Sequence, residues 1–258
     1  MKEGERAAIV MEALSVRVGS KVLLSGIDLC FRDGEHVALI GPNGAGKTTL
    51  LKCILRLMSF ESGRLLLNGR SVRDYRRRDL AKQVACVPQQ LPEGVGYTVR
   101  EFVEMGCYAF KRSAFDVDGL LKQCELREFR DRVVGSLSGG ERQRVSIAAA
   151  IAQDCPILLL DEPCSYLDPR QSEQVQDLIT RVGMGRTVVV VTHDLNWAGS
   201  FDRVVGMAGG VCVFDGSRES FGDPEDLSAL YQTSFLTVPH PLTGRPVIVR
   251  SGKEKGDE

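Results

Sequence analysis

The run Gly41-Pro42-Asn43-Gly44-Ala45-Gly46-Lys47-Thr48-Thr49 combines three glycines with a lysine and two hydroxyls. Glycines at this density let the backbone wrap closely enough for successive N–H groups to face the oxygens of one phosphate. Such a loop is meaningful only between a strand and a helix, and both flanks comply. His36-Val37-Ala38-Leu39-Ile40 precedes it as a short apolar run. Leu50, Leu51, Ile54, Leu55 and Met58 follow at helical spacing, predicting a helix over residues 48–58. The N-terminal end of that helix adds positive potential at the phosphate. Lys47 is then placed to reach the β- and γ-phosphates of a nucleoside triphosphate, and Thr48 to offer its hydroxyl to Mg²⁺.

A second chemical feature is Ile157-Leu158-Leu159-Leu160-Asp161-Glu162, an apolar strand that delivers two carboxylates at its C-terminal end. Open parallel sheets bind ligands at that edge. Asp161 suits a magnesium ion held through its water shell, and Glu162 suits polarisation of an attacking water. Read alone, the two acids could equally end a strand and face solvent. In Ser136-Leu137-Ser138-Gly139-Gly140-Glu141-Arg142-Gln143, Ser138 and Glu141 have capping-box spacing. A helix start accounts for that pair by itself. Gly139 and Gly140, however, leave bare N–H groups at the helix N-terminus, a second phosphate-binding surface. One chain needs one such surface for its own nucleotide, so a second points to the nucleotide of another subunit.

The three stretches, in this order, resemble those of the ATP-binding-cassette ATPases across residues 11–231. Further motifs fit the resemblance. Gln89 in Val87-Pro88-Gln89-Gln90 is similar to the glutamine that senses the γ-phosphate and Mg²⁺. Ser165-Tyr166-Leu167-Asp168 resembles the loop that crosses the dimer interface, and His193 the histidine that holds the γ-phosphate. The resemblance implies a homodimer with two ATP molecules sandwiched head to tail. Each would be held by the lysine loop of one chain and by Ser138, Gly139 and Gly140 of the other, with Lys47, Gln89, Glu162 and His193 catalytic and Thr48, Gln89 and Asp161 around Mg²⁺. It also implies a membrane permease docked near Gln89, a solute-binding protein acting indirectly, and a place at the cytoplasmic face of the membrane. One position departs: Val18 stands where the family places an aromatic ring against adenine. Stacking of that kind is worth about 1–3 kcal/mol by analogy with base stacking, so the preference for ATP over other purine triphosphates rests on the family.

Within the family, residues 78–88, 97–106 and 239–246 resemble the importer ATPases for iron complexes (siderophore and haem) and cobalamin. Cys107 departs from the arginine common there, and zinc and manganese importers share much of the middle stretch. A cassette ATPase acting on nucleic acid is the reading from another class. The basic residues Arg73, Arg76, Arg77, Arg78 and Lys82 are interleaved with Asp74 and Asp79, as on a solvated helix face. With a net charge of −1, the chain has no global pull toward nucleic acid. A nucleotide-binding scaffold without turnover would have lost Lys47, Glu162 or His193.

The elements that must position these residues are legible as α/β: a P-loop NTPase core with a mainly parallel sheet, an N-terminal antiparallel β subdomain and an α-helical subdomain. Ile27, Leu29 and Phe31 alternate with polar neighbours, predicting a half-buried antiparallel strand over residues 26–31 after one over 9–18. Residues 156–160 and 187–192 are continuous apolar runs, the mark of strands covered on both faces. Residues 98–152 are rich in helix formers. Leu65-Leu66-Leu67 before Asn68-Gly69 predicts a tight hairpin, and Gly209-Gly210 another. We expect one unit over residues 1–258. Its core and antiparallel β regions fall at 1–90 and 153–237, its helical subdomain at about 91–152, and a tail at 238–258, frayed from 251. The eight cysteines contain no CxxC pair and three histidines accompany them, which predicts reduced, mostly buried thiols rather than a zinc site. The charged N-terminus lacks the apolar stretch of a signal peptide, and no run approaches the ~18 apolar residues of a membrane span.

Overall fold

The structure, a computed structural model, describes residues 6–90, 96–109, 116–242, 244 and 246–251. Its centre is a six-stranded sheet in which β3 (His36–Ile40), β6 (Val84–Val87), β7 (Ile157–Asp161), β8 (Thr187–Val191) and β9 (Arg203–Ala208) run parallel. The order is β10-β9-β3-β8-β7-β6, and β10 (Val211–Ser217) closes one edge antiparallel. Every residue of β7 and β8 is buried. Side chains alternate across the sheet, so these continuous apolar runs feed two cores. Ala38, Ile40, Leu158, Leu160, Val188 and Val190 enter one with the helices. Val37, Leu39, Ile157, Leu159, Val189 and Val191 enter the other.

The second core is roofed by α1 (Lys47–Ile54) and by an antiparallel sheet, β2-β1-β4-β5, of β1 (Ala7–Val18), β2 (Lys21–Arg32), β4 (Ser62–Leu67) and β5 (Arg70–Ser71). Ile27, Leu29 and Phe31 point into it while Asp28 is exposed, as the alternation requires, although both N-terminal strands run longer than the pattern predicts. Asn68 and Gly69, at φ 48° and 77°, form the turn between β4 and β5. The short α2 (Arg77–Leu80) leads to β6. Beyond it lie α3 (Val99–Gly106), α4 (Val117–Gln123) and α5 (Gly139–Ala152), the helical section the composition predicts, although its expected start near residue 91 lies outside the described residues. The first core is completed by α6 (Pro169–Gly183), α7 (Leu195–Ala198) and α8 (Pro224–Tyr231).

Two expectations are corrected. The helix after the glycine loop stops at Ile54 instead of continuing to residue 58. Leu55 caps it, Arg56 turns left-handed at φ 53°, and the Leu57 and Met58 N–H groups both fold back onto Lys52 O. The tail drawn from residue 238 begins inside a strand: β11 (Phe235–Pro239) pairs antiparallel with β12 (Pro246–Arg250). The pairing is held to the body by Asn196, whose side-chain amide donates to Ile248 O at 3.2 Å and accepts from Ile248 N at 2.8 Å. Residues 1–5 and the charged end from residue 252 lie outside the described residues, as do Thr243 and Arg245 of the 239–246 stretch.

None of the eight cysteines forms a disulfide. Cys53, Cys107, Cys124 and Cys155 are buried and the other four partly so. Burial pushes the thiol of Cys53 up to about 11, and those of Cys86, Cys124, Cys155 and Cys164 up to about 12. Among the described residues no helix is long and apolar enough to cross a membrane.

Candidate active site

The glycine loop leaves the sheet at Gly41, whose φ of 141° suits glycine and whose Cβ, if present, would lie 2.0 Å from Met207 O. Pro42 O accepts from Ala45 N at 3.2 Å, and Ala45 O accepts from Gly210 N, tying the loop to the β9–β10 turn. Asn43, Gly44 and Thr48 are exposed and Thr49 half-buried. Gly46, at φ 102°, is the N-cap of α1, so no capping side chain competes for the N–H groups of the first turn. Leu50, Leu51 and Ile54, at most 2% exposed, anchor the helix beneath. Lys47 is 5% exposed, and its Nζ donates to Gly41 O at 2.6 Å and to Pro42 O at 3.0 Å. Burial lowers its pKa, opposed by the nearby Glu162 and Asp161.

Strand β7 brings the acidic pair to this loop. Thr48 Oγ1 donates to Asp161 Oδ1 at 3.2 Å. Glu162 turns left-handed at φ 50°, with its N–H given to Val191 O, and this aims its carboxylate away from the strand. Gln89 Nε2 at 2.9 Å and Ser165 Oγ at 2.8 Å donate to Oε2, and His193 presents Nε2 to Oε1 at 2.8 Å. The fold therefore gathers Lys47, Thr48, Gln89, Asp161, Glu162 and His193 at the C-terminal edge of the parallel strands. Ser165 joins them directly, a contact that no spacing argument signals. Ser138, Gly139 and Gly140 stand elsewhere, opening α5. The capping box forms, with Glu141 Oε2 accepting from Ser138 N at 2.7 Å, and Gly140 abuts Gln171 of α6. Val18 ends β1 with 57% of its surface exposed.

Burial also raises the pKa of Asp161, with Glu162 acting in the same sense and Thr48, Lys47 and Lys52 opposing. A carboxyl that holds its proton more tightly in the fold stabilises fully below its ordinary value of 3.8, and that contribution is lost as pH rises through the raised value. The ionised form of Asp161 is thus a carboxylate short of positive charge. Asp161→Asn should raise the melting temperature of the nucleotide-free protein at pH 7, by about 2–4 °C for each ~1 kcal/mol relieved. The gain should shrink toward pH 4 while ATP hydrolysis is lost, and a lower melting temperature at pH 7 would contradict the assignment.

Comparison with known proteins decides the family. Residues 24–165, more than half of the chain, match the family model described as ABC transporter. The chain belongs to the ABC transporter family. It is 34% identical over 248 residues to the iron(3+)-hydroxamate import ATP-binding protein FhuC of Bacillus subtilis, with 92% of each chain covered. It is 38% identical over 257 residues to the hemin import ATP-binding protein HmuV of Bradyrhizobium diazoefficiens, with 94% of each covered. Among solved structures it is similar to an ATP-binding cassette in its dimeric post-hydrolysis state with ADP and Pi bound (TM-score 0.74, 28% identity, 83% of this chain and all of that one). An inward-facing ABC transporter described as of metal-chelate type shares the fold (TM-score 0.82, 24% identity, 96% and 98% covered). This ABC protein therefore binds ATP and is an ATPase.

Proposed function

We propose that the chain hydrolyses ATP to drive uptake of an iron complex, siderophore or haem, through a separate membrane permease at the cytoplasmic face. The observation that carries this reading is the similarity over more than nine-tenths of the chain to ATP-binding proteins named for hydroxamate and hemin import. It favours iron chelates over cobalamin, over zinc and manganese, and over a nucleic-acid role. The motor is a homodimer. Each ATP lies on the Gly41–Thr49 loop of one subunit and meets Ser138, Gly139 and Gly140 of the other, while a solute-binding protein delivers cargo to the permease. Val18 gives adenine apolar contact without stacking.

The donor set fits Mg²⁺: a hydroxyl bonded to a buried carboxylate, with the remaining places left to phosphate oxygens and water. Thr48, Asp161 and Gln89 would hold the ion, which neutralises charge developing on the phosphates. Glu162 takes a proton from the attacking water, and its three hydrogen bonds fix where that oxygen points. Gln89 and His193, which touch this carboxylate, report whether the γ-phosphate is present. Contacts made to the γ-phosphate favour the closed dimer, and hydrolysis removes them.

A groove of about 730 Å³ beside α3 is lined by Arg78, Tyr97, Glu101, Glu104, Met105, Cys107 and Tyr108. Tyr97, Met105 and Tyr108 are 53%, 44% and 84% exposed, an apolar floor with a charged rim suited to a permease helix. Coexpressed with its permease, the protein should co-purify with it. Met105→Lys should lower that yield about tenfold or more while hydrolysis by the isolated subunit stays within about twofold. Recovery with ribosomes or nucleic acid instead of a polytopic membrane protein would sink the transport reading.

A further inference from the structure

Gly41 is fixed from both sides. Its carbonyl accepts from Lys47 Nζ at 2.6 Å, a contact internal to the glycine loop. Its N–H donates to Tyr231 Oη at 3.0 Å, a contact from the far end of the chain and outside the region of the family match. Two hydrogen bonds flanking one Cα hold both of its soft dihedrals, and this Cα is where the strand becomes the loop. We propose that Tyr231 is a positioning residue for the phosphate loop, so that α8 belongs to the nucleotide-binding machinery.

The packing around α8 is built for this contact. Leu227 and Leu230, 2% and 4% exposed, seat the helix on the sheet. Leu230 rests where a side chain on Gly206 would otherwise stand: a Cβ there would lie 3.1 Å from Leu230 Cδ2 and 3.0 Å from Phe214 Cβ. Gly206 is the residue of β9 paired with Ile40, immediately before Gly41. The absent side chain thus lets α8 settle beside the first residue of the loop. Tyr231 is the last residue of the helix, which ends as Gln232 turns left-handed at φ 54°. Its ring packs edge-on against Phe235 of β11, 5.8 Å between centroids, so the hydroxyl is aimed by contacts on both sides of the chain reversal. The surroundings keep the phenol neutral, with its pKa pushed up to about 12 by burial. A neutral phenol oxygen accepts an N–H without placing a charge under the phosphates.

Tyr231→Phe keeps the ring and removes the acceptor. It should raise the dissociation constants of ATP and ADP together, by about five- to tenfold, the scale of one hydrogen bond. Turnover at saturating ATP should stay within about twofold, and amide hydrogen exchange at Gly41 should quicken. Gly206→Ala, which displaces Leu230 by a few tenths of an ångström, should act in the same direction more weakly, and it decides the matter if the phenylalanine variant fails to fold. Unchanged nucleotide affinity overturns the proposal whether or not the melting temperature falls, because a tyrosine that only staples α8 would alter stability alone. Weaker binding without faster exchange at Gly41 also overturns it.

Discussion

Glu162→Gln should lower steady ATP turnover by about 10²–10⁴-fold, the range for loss of a general base, with ATP affinity kept within about twofold. The expectation rests on how Glu162 is held. Its carboxylate accepts from Gln89 and Ser165 on one oxygen and meets His193 Nε2 on the other. A glutamine can keep its carbonyl toward the first two donors and turn its NH₂ toward His193, whose ring can present a lone pair in the other tautomer. Shape and hydrogen bonding survive, while basicity does not. The variant should therefore bind ATP and accumulate as a closed dimer, visible by size-exclusion chromatography in ATP and absent in ADP. Glu162→Ala is a poorer probe because it leaves three donors without their acceptor. Wild-type turnover in the glutamine variant would remove Glu162 from the base role.

Lys47→Ala should reduce ATP retention by about a hundredfold or more, and for two reasons. It deletes the charge we propose to face the phosphates. It also removes one of the cations that offset the burial of Asp161, leaving that carboxyl still harder to ionise. The partner test uses Ser138→Asp, since aspartate caps a helix as well as serine does yet sets an anion against the neighbouring subunit's nucleotide. Each variant alone should trap no nucleotide. Mixed before dimerisation, they form dimers in which one composite site retains both Lys47 and Ser138. Trapping should recover to about a quarter of the wild-type level, because half of the dimers are mixed and each has one intact site. No recovery would count against a nucleotide shared between subunits.

Much of this site was legible because its chemistry is written in backbone requirements. Gly41 admits no Cβ beside Met207 O, and residues 156–160 read as a strand buried on both faces, as β7 is. The capping box at Ser138 closes as its spacing requires. Periodicity misled where apolar contact outlasts helical geometry: Leu55 and Met58 still pack on the second core although the helix has ended. The β11–β12 pairing was hidden because its strands carry Pro239 and Pro246 and the link between them Pro241 and Gly244. Two contacts at the site had no signal in the pattern of residue types. Ser165 reaches Glu162 because a left-handed residue turns the chain back on itself. Tyr231 reaches Gly41 across 190 positions, a distance that only the completed sheet can close.

The thiols bear on how dimer closure can be followed. A group with a pKa near 12 has roughly a thousandfold less thiolate at neutral pH than an ordinary exposed cysteine. Cys86, Cys124, Cys155 and Cys164 should therefore ignore a brief pulse of maleimide. Cys30, half-buried on β2, is the native thiol to replace first. A cysteine placed at Tyr166, whose residue is 81% exposed on the loop that leads from Glu162 into α6, would then take a spin label or fluorophore selectively. Two such labels per dimer would turn each cycle of nucleotide binding and hydrolysis into a distance read in solution.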